Sequence, residues 1–449
     1  MPVASFSGLA SGIDTAALVK QLVQLERAPI QRIEDKQSDL NAQSKKFTAL
    51  KDLLGKLQTA AKDLDSRDEF LTSSASSSDD KSVTASVSGA AELGSIDVEV
   101  TSLASAQRTY SNPIDSKSQA GLFGTGELLI QIGDQDLQIQ VSHLSTLDSI
   151  AADINSRGAP LTASVLFTGG AYRLSVTAKN TGAANEITFT EEPQLLLGLS
   201  DEDNLQRPAA DAVFKIDGFD ATSATNTVTD VIPGLSFQLK DETASTTITV
   251  TRDETAIKAK VQAFVDAYNA VQKQLNAEFA FSGQAKIGGG SLAGDSSLRG
   301  IQSALRTLAG DKVAGLTGLF STFSSVGVRA QGDGSLKFET DVFSKALAQD
   351  PEAVAAVFTK SDTGSTIGMA AQFSDAIDGM IDGTKAVLPQ RIQSIADRVR
   401  SMDDQIDNME RRMERYEQDL QVRFAAMEQL LSQLQGQGSQ LTSILSGLS

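Results

Sequence analysis

The stretch Leu388-Pro-Gln-Arg-Ile392-Gln-Ser-Ile395-Ala-Asp-Arg-Val399-Arg-Ser-Met402-Asp-Asp-Gln-Ile406-Asp-Asn-Met409-Glu-Arg-Arg-Met413-Glu-Arg-Tyr416-Glu-Gln-Asp-Leu420 decides how this chain is built. Its apolar residues recur at alternating steps of three and four. That seven-residue repeat lines one narrow seam of a long α-helix. The row continues through Phe424, Met427, Leu431 and Leu434. Two four-residue steps in succession, Tyr416 to Leu420 to Phe424, make a stutter, which locally unwinds a left-handed supercoil. Arg391, Arg398, Asp403, Glu410 and Arg415 occupy the other faces. Pro389 suits the first helical turn, where its missing N–H costs nothing. A helix this long cannot bury one seam against itself, so the pattern calls for a partner helix.

The partner lies at the other end of the chain. Ile33, Leu40, Phe47, Leu54 and Ala61 recur every seven residues, and Leu50, Leu57 and Leu64 form a companion row that Gln37 and Ser44 interrupt. Pairing the two ends predicts an α+β multidomain fold. Its N- and C-terminal helices form a coiled-coil-like leg, and strand-rich domains are inserted between them. The assembly seam is expected at Ile33, Leu40, Phe47, Leu54 and Leu57 on one side. On the other it comprises Ile392, Ile395, Val399, Met402, Ile406, Met409, Met413, Tyr416 and Leu420. Heptads of this kind are packing surfaces rather than cofactor sites.

At 449 residues the chain has material for about three domains. Its net charge of −18 is unevenly spread. Residues 1–72 hold ten basic and ten acidic side chains, and 384–449 hold eight and nine, which leaves −17 between them. Nearly neutral ends suit close packing with copies of themselves, and the acidic middle suits a solvated outer surface. That acidity argues against binding a phosphate backbone. With no cysteine there is neither a disulfide nor a thiolate zinc site. No run has the length of a membrane span. The first residues lack the basic and apolar regions of a secretory signal, which taken alone would place the protein in the cytoplasm.

Expected boundaries follow from composition and period. Residues 1–14 are a flexible Ser/Gly lead-in ending on Asp14, a good N-cap. The leg helices fill 15–72, broken at Ala28-Pro29. Thr72 to Asp80 reads as a polar linker. Alternating apolar residues then give a first strand-rich domain, 73–103 with 206–253, and a second over 104–205. In the second, Leu128–Ile132 and Leu137–Val141 form a hairpin around Gly133-Asp134. A short helix from Ser145 or Thr146 to Asn155 follows. Residues 254–383 return to helix with a small hairpin at Gly332-Asp333-Gly334. The long helix occupies 384–435, and 436–449 are a mobile tail.

Chemistry is sparse. One histidine, His143, and no cysteine exclude the usual zinc constellations. Asp201-Glu202-Asp203-Asn204 lacks the spaced oxygens of a calcium loop and reads as a solvated turn. Gly288-Gly289-Gly290-Ser291 lacks the lysine of a phosphate loop. Gly-Xaa-Ser-Xaa-Gly is absent. No catalytic residue, metal or cofactor is expected.

Ser7-Gly-Leu-Ala-Ser-Gly-Ile-Asp14, followed by Pro29 and a heptad helix, resembles the start of the flagellar filament cap family, also called flagellar hook-associated protein 2. The resemblance continues through Val98-Glu-Val-Thr-Ser-Leu-Ala-Ser-Ala-Gln107, Asn226-Thr-Val-Thr-Asp-Val-Ile-Pro-Gly234 and Phe264-Val-Asp-Ala-Tyr-Asn269. It ends with Leu292-Ala-Gly-Asp-Ser296 and Asp333-Gly-Ser-Leu336. Leu147 to Asn155 is similar to a motif ending in Ile-Asn that flagellins and hook-associated proteins share. Six motifs in order span nearly the whole chain. The resemblance implies export by the flagellar type III apparatus without a cleaved signal, and a secreted, extracellular protein at the flagellar tip. It implies a ring, pentameric or hexameric, that promotes flagellin polymerisation and prevents loss of flagellin monomers. Its implied partners are itself, flagellin, the hook–filament junction proteins and a cytoplasmic export chaperone, with no nucleic acid and no membrane insertion. The competing expectations are another axial protein of the flagellum, or a secreted adhesin binding host mucus through its acidic middle.

Overall fold

The computed structural model describes residues 14–88, 91–279, 292, 294–361, 366–383 and 386–446. The chain divides into two compact units, one holding both ends up to Phe70 and from Lys258 onward, the other Leu71–Ile257.

Asp14 opens α1 (Thr15–Glu26) by accepting the Ala17 N–H at 3.0 Å. The rest of the expected lead-in lies outside the described residues. α2 (Ala28–Lys62) starts at the Ala28-Pro29 break, with the proline in its first turn. Four residues form α3 (Arg67–Phe70).

The strand-rich unit begins where a linker was expected. Ser73–Ser77 is β1, paired antiparallel with a later strand. A ladder needs only backbone N–H and C=O groups, so an edge strand can be made of serine. β2 (Val83–Val87) and β3 (Gly94–Ser102) follow. Next come β4 (Arg108–Tyr110), β5 (Gly126–Ile132), β6 (Gln135–Val141), α4 (Leu147–Ser156), β7 (Leu161–Thr168), β8 (Ala171–Ala178), β9 (Ile187–Glu191) and β10 (Leu205–Arg207). Gly133 sits at φ 56°, the left-handed conformation that the β5–β6 turn needs. Thr146 caps α4 in a capping box with Ser149. β11 (Ala212–Ile216), β12 (Phe219–Ser223), β13 (Thr227–Ile232), β14 (Leu235–Leu239) and β15 (Thr243–Arg252) complete the unit.

Two separate apolar clusters organise these strands. A five-stranded sheet, β1-β15-β3-β11-β12, and a three-stranded sheet, β13-β14-β2, share one core in which Phe214 meets Phe237 edge-on at 5.8 Å. The sheets β10-β4-β8-β7 and β6-β5-β9 share the other with α4, around Phe123, Ile130, Ile150 and Leu174.

The chain then returns to helix: α5 (Glu254–Phe279), α6 (Ser296–Gly310), the hairpin β16 (Val328–Ala330) and β17 (Leu336–Phe338), α7 (Thr340–Gln349), α8 (Pro351–Phe358), α9 (Met369–Ile381) and α10 (Val387–Ser446). The expected hairpin forms around Gly332-Asp333-Gly334, and Phe323–Val326 before it closes as a 3₁₀ turn. Its core is aromatic. Phe70 stacks on Phe358 at 4.9 Å, and Phe323 and Phe264 continue the chain of rings to Phe373. Burial pushes the Tyr268 hydroxyl up to about 12, against the opposing pull of Arg306 and the Gln272 hydrogen bond. Gly288-Gly289-Gly290-Ser291 lies outside the described residues. α10 does not stop at 435 but runs through Gly436 and Gly438 to Ser446. Glycine weakens a helix by about 1 kcal/mol relative to alanine without removing its i→i−4 bonds, so two of them do not end it.

Candidate assembly interface

The two ends of the chain pair as the heptads require. α10 packs along α2 and α1. Arg27 bonds Glu410 at 2.9 Å, and Gln37 donates to Asp403, so α2 and α10 run antiparallel. Both ties are exposed and set register more than stability.

The structure divides the expected seam residues. Of the nine from Ile392 to Leu420, only Ile395 is buried, and the other eight are half-buried. On the N-terminal side Ile33 is half-buried, whereas Leu40, Phe47, Leu54 and Leu57 are buried. The latter half of α2 turns to α9: Gln58 donates to the Asp378 carboxylate and a Cβ on Gly55 would sit 3.9 Å from Ile381. Helix α9 also touches α10 and α6. Sequence reasoning placed helix across 254–383 without singling this one out. Its signal was the spacing of Met369, Phe373, Ile377 and Met380.

The base of α10 is fixed by one carboxylate. Asp295 caps α6, accepting from Ser297 and Leu298, and its second oxygen takes Arg391 at 2.6 Å. Leu388 is fully buried beside that tie.

Several quoted motifs meet as carboxamide clamps, in which one side chain satisfies both backbone groups of a distant residue. Asn269 holds Leu336 through bonds of 2.8 and 2.7 Å, joining Phe264–Asn269 to Asp333–Leu336. Asn226 holds Ala104 at 2.9 and 2.7 Å, and Gln107 holds Ile187 at 2.7 and 2.7 Å. Asn155, closing the Ile-Asn motif, holds Ala163 at 2.7 and 2.9 Å. Each replaces a missing ladder bond, at a strand end for Asn269, Asn226 and Gln107 and along the open edge of β7 for Asn155. In this chain these residues close the fold.

His143 and Asp201 to Asp203 are exposed. Asp333 is held below the usual carboxylate range by the Ser335 hydroxyl and backbone, as an Asx-turn residue is. Among the described residues no cluster could hold a metal ion, and no helix is long and apolar enough to cross a membrane.

Such a molecule is a multidomain α+β protein whose helical ends pair and leave an apolar row half-covered. Comparison with known proteins agrees. The family described as flagellar hook-associated protein 2 C-terminus matches residues 209–436, and its N-terminus counterpart matches 11–107. The A-type flagellar hook-associated protein 2 of Pseudomonas aeruginosa is 30% identical, covering 99% of this chain and 98% of that one. The flagellar hook-associated protein 2 of Escherichia coli K12 is 28% identical over 80% and 82% of the two chains. The crystal structure of the D1-D2-D3 domains of the Escherichia coli flagellar cap protein superposes with a TM-score of 0.65 at 25% identity. It covers 78% of this chain and 99% of that one. The chain belongs to the flagellar hook-associated protein 2 family, the flagellar cap proteins.

Proposed function

We propose that the protein caps the distal end of the flagellar filament as a ring of identical copies, where it promotes flagellin polymerisation and keeps flagellin monomers from escaping. The observation that carries this reading is the half-buried seam of α10. Eight of nine heptad residues retain partial exposure after the chain's own helices have packed, which leaves a side for neighbouring copies and the filament end. The role is structural. On this reading the chain is exported by the flagellar apparatus with a cytoplasmic chaperone, and acts outside the cell beside flagellin and the junction proteins.

The test is the culture supernatant of a deletion strain. It is expected to contain unpolymerised flagellin, with short filaments or none, and the wild-type gene is expected to restore both. Normal swimming without shed flagellin would overturn the reading. Native mass spectrometry of the purified chain is expected to show a closed oligomer at micromolar concentration.

A further inference from the structure

Two edges flank the seam of α10, and they carry opposite charge. Just after Met402, Met409 and Tyr416 come Asp403, Glu410 and Glu417. Just before Val399, Ile406 and Met413 come Arg398, Gln405 and Arg412. In a heptad helix these are the two positions that border the apolar row. Their charges set which helix can pair alongside, and in which direction. The pattern stops at the stutter, where Asp419 pairs with Arg423 of its own helix at 2.9 Å.

The chain itself uses only the acidic edge. Arg27 reaches Glu410, and Gln37 donates to Asp403. The other edge is open. Arg398 and Arg412 are exposed, and among the described residues neither guanidinium makes an ion pair or a hydrogen bond. Glu417 is half-buried and takes only a hydrogen bond from Gln421, at 3.2 Å.

A second copy of α10 fits this layout in one direction only. In a parallel pair, each basic-edge residue meets the acidic-edge residue of the following heptad on the other helix. Arg398 then faces Asp403, Gln405 faces Glu410 and Arg412 faces Glu417, with no like charges opposed. In an antiparallel pair each edge meets its own kind, so carboxylate faces carboxylate and the contact is rejected. Because the two edges differ, a copy uses its basic edge on one neighbour and its acidic edge on the other. Head-to-tail contacts of that kind close into rings, whose members are parallel by symmetry.

We propose that neighbouring copies of this chain pack their α10 helices parallel, with Arg398 and Arg412 of one copy against Asp403 and Glu417 of the next. The pairing presupposes the ring proposed above and adds its direction and its contact edge. Native mass spectrometry of the full chain over a concentration series tests it, with the melting temperature of each variant as the control for folding. Arg398→Glu/Arg412→Glu is expected to raise the concentration needed for assembly at least about ten-fold at low salt, since two attractive pairs per contact become repulsive. The melting temperature of its dilute monomer is expected to stay unchanged. Asp403→Lys/Glu417→Lys is expected to weaken assembly in the same way, and all four reversals in one chain to restore it. Arg398→Gln/Arg412→Gln only removes charge and is expected to weaken assembly less. It carries the test if a reversed chain fails to fold, and assembly by it at wild-type concentration would then overturn the pairing. A wild-type chain that stays monomeric would overturn the ring itself. A ring that forms equally well with Arg398→Glu/Arg412→Glu, or that the fourfold reversal does not restore, would leave the ring standing and overturn the pairing.

Discussion

Ile406 and Asp65 show how single side chains weigh in this molecule. Ile406 sits mid-seam and is half-buried, so Ile406→Ala is expected to cost only ~1 kcal/mol, less than a fully buried isoleucine would. Ile406→Asp adds a carboxylate in a partly dry seam and is expected to lower the thermal midpoint further, whereas Ile406→Leu is nearly silent. In cells, Ile406→Asp is expected to shed flagellin monomer. Full-length filaments with this variant would mean that the seam does not couple the protein to the filament. Asp65 is the reverse case, a charge the fold disfavours. Burial raises its pKa above 3.8, Glu69 and Asp375 add repulsion, and Lys62 and Lys360 oppose them. Because the folded value is the higher one, the stability linked to this group is present below the unfolded pKa and is lost as pH rises through the folded value. Asp65→Asn is therefore expected to raise the melting temperature at pH 7, with the gain shrinking as pH falls towards 3. A gain that grows on acidification would contradict this account.

Among the elements, α10 depends on how its first turns are held. Asp295→Ala removes both the α6 cap and the Arg391 tie, and is expected to cost about 1–2 kcal/mol in chemical denaturation. Arg391→Ala removes only an exposed tie and is expected to cost under ~1 kcal/mol. Equal losses would mean that the cap contributes nothing. The same helix shows what the sequence reveals and what it hides. Its seam, and strands such as Leu128–Ile132, were readable because one face of each is covered and the other wet, so burial prints a period on the sequence. β1 was hidden because its pairing uses main chain only, and its serines carry no period. α9 carried a legible period: Met369, Phe373, Ile377 and Met380 are buried at helical spacing, and Asp375, Asp378 and Gly379 are exposed on the other side. The candidate interface was legible as a row of residues. That the row stays half-covered after folding was not, since covering depends on which helices arrive from elsewhere in the chain.

At the scale of the whole molecule, the strand-rich unit holds two cores with no shared cluster, and this bears on where it can be cut. A boundary at 205 falls inside β10, whose Leu205 and Arg207 pair with β4. Arg207 also donates to the Ala106 carbonyl at 2.8 Å. A fragment spanning 104–211 is expected to unfold cooperatively on its own, and one ending at 204 to melt several degrees lower for want of that strand. A molten 104–211 fragment would mean that its core relies on the neighbouring one.

The carboxamide clamps have a chemical consequence. Each works because one end of the amide donates and the other accepts. Hydrolysis of that amide, the slow deamidation to which every asparagine is subject, exchanges the donor for an oxygen and sets it against the carbonyl it used to hold. At Asn226 or Asn269 one such event would open a strand end, and at Asn155 it would loosen the edge of β7, adding one negative charge while leaving sequence length and apolar core untouched. Strand edges and ends closed in this way last only as long as the side-chain amides that close them.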